Sequence, residues 1–315
     1  VGANALDANT TASYNTALGF EALTDNLTGA QNTAVGYYSL PNNTTATRNT
    51  AVGSQAAGAT TTGNDNTAVG ALSFTGNTTG ANNTALGKSA LQQNTTSSNN
   101  TGVGFYALGA NTTGGSNVAV GYQALNANTT GDNNTALGVN ALDANTTAGY
   151  NTAVGSNALG ANTTGHTNTA VGNQSLLSNV DGFRNTGLGS DTLRLNTTGY
   201  QNVAVGSFAL DQNTTAANNT AIGHNTLNAN TTGTNNVAVG ANALDANTTG
   251  SSNASFGRNS LSSNTTASNN TAIGTSALEL NTTGSNNTAL GQKALLLNTT
   301  GTQNVAVGTE ALENN

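Results

Sequence analysis

The sequence predicts an all-β protein, a parallel β-solenoid of about 18 coils with 17 residues in each coil. The first observation is a repeat. The motif Asn-Thr-Ala-Leu-Gly at residues 15–19 recurs every 17 residues up to Asn304, which makes eighteen copies without insertion or deletion. The second observation is that each copy opens with a short β-prone segment. Units of this kind bury their apolar residues only by stacking on their neighbours.

Composition excludes several classes of protein. Of the 315 residues, 6% are charged and 4% aromatic, and Cys, Met and Trp are absent, whereas an ordinary globular domain carries about 25% charged residues. Without Cys there is no disulfide framework and no thiolate metal site. The net charge of −7 is spread thinly and offers no basic surface for nucleic acid. The sequence contains no run of about 18 apolar residues, so it predicts no segment that inserts into a membrane.

We number the repeat from its first Asn. Position 1 is Asn, position 2 is Thr or Val, position 3 is nearly always Ala, position 4 is Val, Leu or Ile, and position 5 is Gly. Position 8 is Ala or Ser, position 9 is Leu, and positions 12–14 are Asn-Thr-Thr, followed by Gly or Ala at position 15. Only Ala57 and Phe74 interrupt the Leu column. Seventeen residues are too few for the helix pairs of α-solenoids, which favours a β-coil.

Each part of the repeat predicts one part of the coil. Segment 202–206 reads Asn-Val-Ala-Val-Gly, a β-branched alternation closed by Gly, and predicts the first strand. We expect a second strand around positions 7–10, with a return turn at Asn-Thr-Thr-Gly. With adjacent strands about 4.8 Å apart, the stacked coils would form a rod roughly 90 Å long.

The alternation of side chains along the first strand predicts the core. We expect positions 2 and 4 to face the interior and positions 1, 3 and 5 to face outward. The predicted core residues are Leu23, Val35, Leu91, Leu108, Leu125, Leu142, Val154, Leu159, Leu176, Val205, Leu210, Leu244 and Leu278.

An outward column of Ala suggests close contact with another chain, because small side chains allow a second backbone to approach. We therefore expect a homotrimer packed through the Ala faces, in which Ala153 would lie at a subunit contact. A monomeric solenoid with the Ala column in solvent is the alternative.

Segment 116–124, Ser-Asn-Val-Ala-Val-Gly-Tyr-Gln-Ala, resembles the head repeat of YadA-like trimeric autotransporter adhesins. The wider pattern, Asn-Thr-Ala-Val-Gly-x-x-Ala-Leu with Asn-Thr-Thr-Gly, is similar to repeat arrays in tail-fibre-like proteins of bacteriophages and giant viruses. The resemblance implies a left-handed β-roll in a trimer. The 17-residue period and the Leu and Asn-Thr-Thr columns depart from the adhesin head.

Residues 1–315 form one repeat array, and both ends fall inside a coil, at positions 4 and 12. Repeat arrays need polar caps. We therefore expect the chain to be a segment of a longer fibre, with end-to-end stacking into a filament as the alternative.

The Asn-Thr-Thr column supports two interpretations. Stacked Asn amides could form a hydrogen-bonded ladder, or the Asn-x-Thr sequons could carry N-linked glycans. The residues concerned are Asn9, Asn26, Asn43, Asn77, Asn94, Asn111, Asn128, Asn145 and Asn162, and the sequon is lost at Thr60 and at Asn179.

Enzyme chemistry finds little support in the sequence, and we expect no cofactor and no metal. His166 and His224 sit at different repeat positions more than three coils apart and cannot share a site. Asp recurs at position 10, where we expect the side chains to be solvated on the surface; these residues are Asp7, Asp143, Asp211 and Asp245. They are too far apart for two carboxylates to act as an acid–base pair.

These observations favour the structural shaft of an extracellular, cell-surface or virion-surface fibre, a stiff spacer whose main partner is another copy of itself. The alternatives are an adhesin that binds host glycan or protein, and an ice-binding protein with regular Thr columns. Phe183 and Arg184 interrupt a turn that is otherwise small and polar, and they are the candidate contact point.

Overall fold

The computed structural model describes residues 1–314 as short strands joined by turns and bends, with no helix among them. These residues group into two compact units, 1–156 and 157–314. Each unit contains nine strands of three residues, one strand in each coil. The fold of each unit is therefore the parallel β-solenoid with a 17-residue period that the sequence predicts.

All strands span positions 2–4 of the repeat. The first unit contains β1 (Thr16–Leu18), β2 (Thr33–Val35), β3 (Thr50–Val52), β4 (Thr67–Val69), β5 (Thr84–Leu86), β6 (Thr101–Val103), β7 (Val118–Val120), β8 (Thr135–Leu137) and β9 (Thr152–Val154). The second contains β10 (Thr169–Val171), β11 (Thr186–Leu188), β12 (Val203–Val205), β13 (Thr220–Ile222), β14 (Val237–Val239), β15 (Ala254–Phe256), β16 (Thr271–Ile273), β17 (Thr288–Leu290) and β18 (Val305–Val307).

Within each unit, every strand pairs in parallel with the strand of the next coil, at an offset of one repeat; Thr16 pairs with Thr33, for example. Gly at position 5 ends each strand with φ between 117° and 143°. A Cβ on Gly121 would lie 2.4 Å from the carbonyl oxygen of Gly138. The coils therefore stack so closely at this corner that only glycine fits.

The second strand expected around positions 7–10 is absent, and turns replace it. Tyr106 and Leu108, at positions 7 and 9, have φ of 54° and 53°, which extended backbone does not adopt. The segment still bonds between coils. The N–H of Tyr106 donates to Lys88 O at 3.2 Å and that of Leu108 donates to Ala124 O at 3.0 Å. The turn therefore forms backbone hydrogen bonds with the preceding coil and with the next coil, although it is not a strand.

Side chains alternate between the two faces of each strand as expected, but the face that points into the coil is the opposite of the predicted one. In β7, Ala119 is fully buried whereas Val118 is 40% exposed. The expectation that position 4 lies in the core is wrong, since Val35, Val154 and Val205 are only half-buried. The core leucines are fully buried as predicted: Leu23, Leu91, Leu108, Leu125, Leu142, Leu159, Leu176, Leu210, Leu244 and Leu278.

The interior is too narrow for a second column of large side chains. A Cβ on Gly102, at position 3 of β6, would lie 3.3 Å from Leu91 Cγ, so position 3 points directly at the Leu column. Only Ala, Gly or Ser fits there. The predicted trimer contact through Ala is therefore wrong, because Ala153 and its equivalents are buried inside their own chain.

Candidate functional site

Asn at position 12 forms an amide ladder inside the coils. In the first unit, Asn128 Nδ2 donates to Asn111 Oδ1 at 2.8 Å and to Gly131 O at 3.0 Å. Asn111 Nδ2 in turn donates to Asn94 Oδ1 at 2.9 Å. The same bond recurs in the second unit, from Asn213 to Asn196 at 2.7 Å. Each amide thus ties its coil to the preceding coil and closes its own turn.

Asn at position 1 forms a second inner column, with a different pattern of bonds. Asn15 Oδ1 accepts from the backbone N–H of Asn32 at 2.9 Å, and Asn15 Nδ2 donates to Gly29 O at 2.8 Å. That same carbonyl accepts from Asn26 Nδ2 at 2.9 Å. Both Asn columns therefore converge on the carbonyl at position 15, and the polar interior satisfies its own hydrogen bonds.

The position-12 ladder is interrupted where Thr60 replaces Asn. Asn43 Nδ2 still donates to Ala46 O at 3.1 Å, but Asn43 Oδ1 and Thr60 Oγ1 are buried without a hydrogen-bond partner. Thr is too short to reach both neighbours. This step is therefore the weak point of the ladder in the first unit.

The structure places the sequon asparagines in the ladder. Asn9 is half-buried, and the other eight are fully buried: Asn26, Asn43, Asn77, Asn94, Asn111, Asn128, Asn145 and Asn162. A glycan would have to be attached at the Nδ2 atom that closes the turn. At these eight positions, glycosylation and the folded ladder are therefore mutually exclusive.

Positions 2 and 4 form an exposed sheet face in each unit. Thr or Val at position 2 lies beside Val, Leu or Ile at position 4, and both columns point outward. In the first unit, Leu86 is 46% exposed and Leu137 is 47% exposed. A monomeric soluble protein rarely exposes so continuous an apolar stripe. The face is a candidate interaction surface that the sequence interpretation had assigned to the core.

Two clusters of three aromatic rings lie on the turn side of the first unit. Phe20 stacks on Tyr37 with ring centroids 5.6 Å apart, and Tyr38 meets Tyr37 edge-on at 4.5 Å. In the second cluster, Phe105 stacks on Tyr122 at 5.5 Å and meets Tyr106 edge-on at 4.6 Å. The sequence interpretation missed these clusters, although a spacing of 17 residues between aromatics was the signal.

Phe183 and Arg184 lie in a third aromatic group, in the second unit. His166, Phe183 and Tyr200 stack in a column with centroids 5.3 and 5.0 Å apart. The Cζ atom of Arg184 lies 5.9 Å from the centroid of the Phe183 ring. Phe183 is half-buried and its faces are covered by neighbouring rings, so the exposed element of this candidate contact is Arg184.

The position-10 carboxylates are less uniform than expected. Asp211 is buried, and it accepts from Arg194 Nε at 2.8 Å and from the Nη2 atom of the same guanidinium at 3.1 Å. The interpretation of Asp211 as a solvated surface residue is therefore wrong. Burial raises the pKa of Asp143 and of Asp245 above the ordinary value, although backbone N–H groups partly oppose the change.

Among residues 1–314, no three His, Asp or Glu side chains converge on a point where a metal ion would bind. The described part of the chain also has no helix long and apolar enough to cross a membrane.

No known protein family model matches the chain, and no curated protein sequence is significantly similar to it. The fold and the inner ladders define its class, which is that of β-solenoid repeat proteins.

Proposed function

We propose that this chain is the shaft of an extracellular or virion-surface fibre, a stiff spacer between an anchor and a binding element. The observation that supports the proposal most directly is the uninterrupted register within each unit. Parallel strands, turn hydrogen bonds and the position-1 Asn column repeat from coil to coil, and the position-12 column is interrupted at Thr60. A backbone saturated with hydrogen bonds resists bending and local opening.

Composition supports an exterior location for the proposed shaft. The chain has no Cys and no Met, the residues most easily oxidised outside the cell. It also has few Lys and Arg residues, six in total, at which many proteases cleave. Negative-stain electron microscopy of the whole chain tests the proposal. We expect long, narrow particles of roughly 90 Å, and compact particles would contradict the shaft.

The exposed strand face supports self-association as part of the same proposal. Because Ala is buried, the contact proposed for the homotrimer moves to the columns at positions 2 and 4. Burial of Leu and Val side chains there would contribute about 25 cal/mol for each Å² of apolar surface removed from water. A repeated strip of this kind would also hold two copies in register over many coils.

Mass measurement tests the proposed face. We expect the parent chain to be trimeric and the double variant Leu86→Lys/Leu137→Lys to be monomeric and folded, because these side chains project from the outer face. The matched control is Thr130→Lys, an exposed residue in the turn outside the strands, which should remain trimeric. A monomeric parent, or a double variant with the parent's mass, would contradict the proposal.

Ice binding is favoured by one observation only, the outward Thr column at position 2. Val interrupts this column at Val118, Val203, Val237 and Val305, and the neighbouring position 4 varies in size from Val to Phe256. A regular array of hydroxyl groups is therefore not formed. Thermal hysteresis no greater than that of an unrelated β-protein would contradict this candidate.

A further inference from the structure

The two aromatic clusters of the first unit each border a groove, and the two grooves share several lining positions of the repeat. The first groove, of about 370 Å³, is lined by Tyr38, Gln55 and Gly58, among others. The second, of about 250 Å³, is lined by Tyr106, Gln123 and Gly109, among others. Both grooves are lined by a Tyr at position 7 and by the Gln at position 7 of the next coil. A Gly at position 10 also lines each groove, in the coil of the Gln in the first groove and in the coil of the Tyr in the second.

The tyrosine rings are held in place by their neighbours. Tyr38 packs edge-on against Tyr37, and Phe20 lies against both rings, with its centroid 5.6 Å from that of Tyr37 and 5.7 Å from that of Tyr38. A hydrogen bond to Glu21 also engages the Tyr38 hydroxyl and raises the pKa of that group. In the second groove, Phe105 and Tyr122 support Tyr106 in the same manner. Rings fixed before binding lose little conformational freedom when a ligand arrives.

The grooves combine aromatic surface with uncharged polar groups. Asn42 and Gln55 contribute side-chain amides to the first groove, and Gln93 and Asn126 contribute them to the second. Asn42 Nδ2 is fixed by donation to Gly58 O at 2.6 Å. The lining residues of both grooves are uncharged, and the Glu21 carboxylate that bonds the Tyr38 hydroxyl is not among them. An amide can donate and accept at the same time, which matches a pair of neighbouring hydroxyl groups, while an aromatic ring matches an apolar C–H surface.

We infer that these grooves are binding sites for an uncharged oligosaccharide built of hexose units. The ring of the position-7 Tyr would pack against the C–H face of one sugar, and the amides would bond its hydroxyl groups. The two sites lie 68 residues apart, which is four coils, or roughly 19 Å at the usual strand spacing. One glycan chain that reaches both sites would gain affinity from the linkage.

The inference is independent of the shaft. A shaft without sugar binding would show elongated particles and no titration, whereas a sugar-binding protein of another shape would show the reverse. A negative result in one experiment therefore leaves the hypothesis tested by the other unaffected.

Titration calorimetry of the whole chain with uncharged tetrasaccharides tests the inference. Cellotetraose, maltotetraose and mannotetraose serve as probes, with sialyllactose as the charged comparison. We expect at least one neutral probe to bind and sialyllactose to bind roughly tenfold more weakly or not at all. No heat with any neutral probe, or equal binding of the charged sugar, would overturn the inference.

Two variants locate the binding. Tyr38→Ala removes the ring, and Gly58→Leu fills the groove while the ring remains; a Cβ at Gly58 would make only ordinary contacts, 3.4 Å from Gln55 O and 3.8 Å from Thr75 O. Each variant should eliminate binding at the first groove and halve the stoichiometry. The matched control is Tyr150→Ala, an exposed tyrosine outside both grooves. Equal binding by all three variants and the parent would overturn the assignment.

Discussion

The asparagine side chain has two roles inside the coils that no apolar residue could combine. At position 12 it bonds the preceding coil and its own turn, and at position 1 it accepts the backbone N–H of the next Asn. A buried amide without partners would cost about 1–3 kcal/mol. The sequence therefore has to repeat Asn at a constant interval, because each amide depends on the one before it.

Replacing Thr60 by Asn should repair the interruption in the position-12 ladder. The new amide could donate to Asn43 Oδ1, which is buried without a partner, and accept from Asn77. We expect the free energy of unfolding of the surrounding coils to rise by about 1–2 kcal/mol, measured by native-state hydrogen exchange.

The control for the repaired ladder is Thr62→Asn, at an exposed position of the same turn. It changes the composition by the same amount but adds no inner amide. If Thr60→Asn gave no more protection than Thr62→Asn, the ladder would not stabilise the coils.

Asp245 should make the stability of its coil depend on pH. Burial raises its pKa in the folded state, so the folded protein binds more protons than the unfolded chain does. Its contribution is complete below the ordinary Asp pKa of about 3.9 and is lost as pH rises through the raised value. Asp245→Asn should therefore stabilise the protein at pH 7 and flatten this part of the pH profile, as followed by thermal unfolding at several pH values.

The control for the pH prediction is Asp7→Asn, because Asp7 occupies the same repeat position but is exposed. We expect it to change stability by less than about 0.5 kcal/mol. A pH profile that Asp245→Asn leaves unaltered would contradict the role assigned to burial of this carboxyl.

At the level of the structural element, the strand ends where the glycine column brings two backbones together. Gly121→Ala should destabilise by roughly 2 kcal/mol or more, because φ is 142° and the new Cβ would lie 2.4 Å from Gly138 O. Chemical denaturation measures the loss. Gly115→Ala, whose Cβ would be 3.4 Å from Ser98 O, is the control and should change stability by less than about 1 kcal/mol; an equal loss in both variants would contradict the argument.

Two neighbouring residues of β7 test which face of the strand is inside. Ala119 is fully buried, so Ala119→Glu places a charge without a partner in the core and should unfold the adjacent coils, at a cost above roughly 3 kcal/mol. Val118 is 40% exposed, so Val118→Glu should leave the coils folded. Hydrogen exchange of β6, β7 and β8 distinguishes the two variants. Greater loss of protection in Val118→Glu than in Ala119→Glu would show that the Ala column faces outward.

The strand and its register could be predicted from the sequence, but its orientation could not be predicted from hydrophobicity alone. Val and Leu at position 4 are more apolar than Ala, yet they face outward because the narrow interior accommodates only one column of large side chains, Leu108 and its equivalents. The feature of the sequence that indicates the orientation is how much residue size varies at each position from repeat to repeat. Position 3 stays small throughout, as a packed column requires, whereas position 4 varies from Val120 to Phe256.

Neither the turn at positions 7–10 nor the aromatic grooves could be predicted from the sequence, and the reasons differ. Positive φ at a leucine such as Leu108 has no marker in the sequence, since isolated leucine avoids that conformation and only tertiary packing enforces it. The grooves depend on pairs of residues exactly one repeat apart, such as Tyr38 and Gln55. These pairs acquire meaning only once the coil geometry places them side by side.

At the scale of the whole molecule, the proposed shaft is a sum of equivalent coils. In such a repeat array, each unit interacts only with its neighbours, so stability and length both increase with the number of coils. The 17-residue repeat runs without a break from Asn15 to Asn304. Removing whole repeats should therefore shorten the shaft without changing the structure of the coils that remain.

Deletion of residues 100–150 tests this claim most directly, because it removes exactly three repeats and joins residue 99 to Asn151 in register. Small-angle scattering of the parent and the deletion variant measures the maximum dimension of each. We expect a folded variant that is shorter by about 14 Å with an unchanged cross-section. An unfolded variant, or one whose cross-section shrinks while its length stays the same, would contradict this claim.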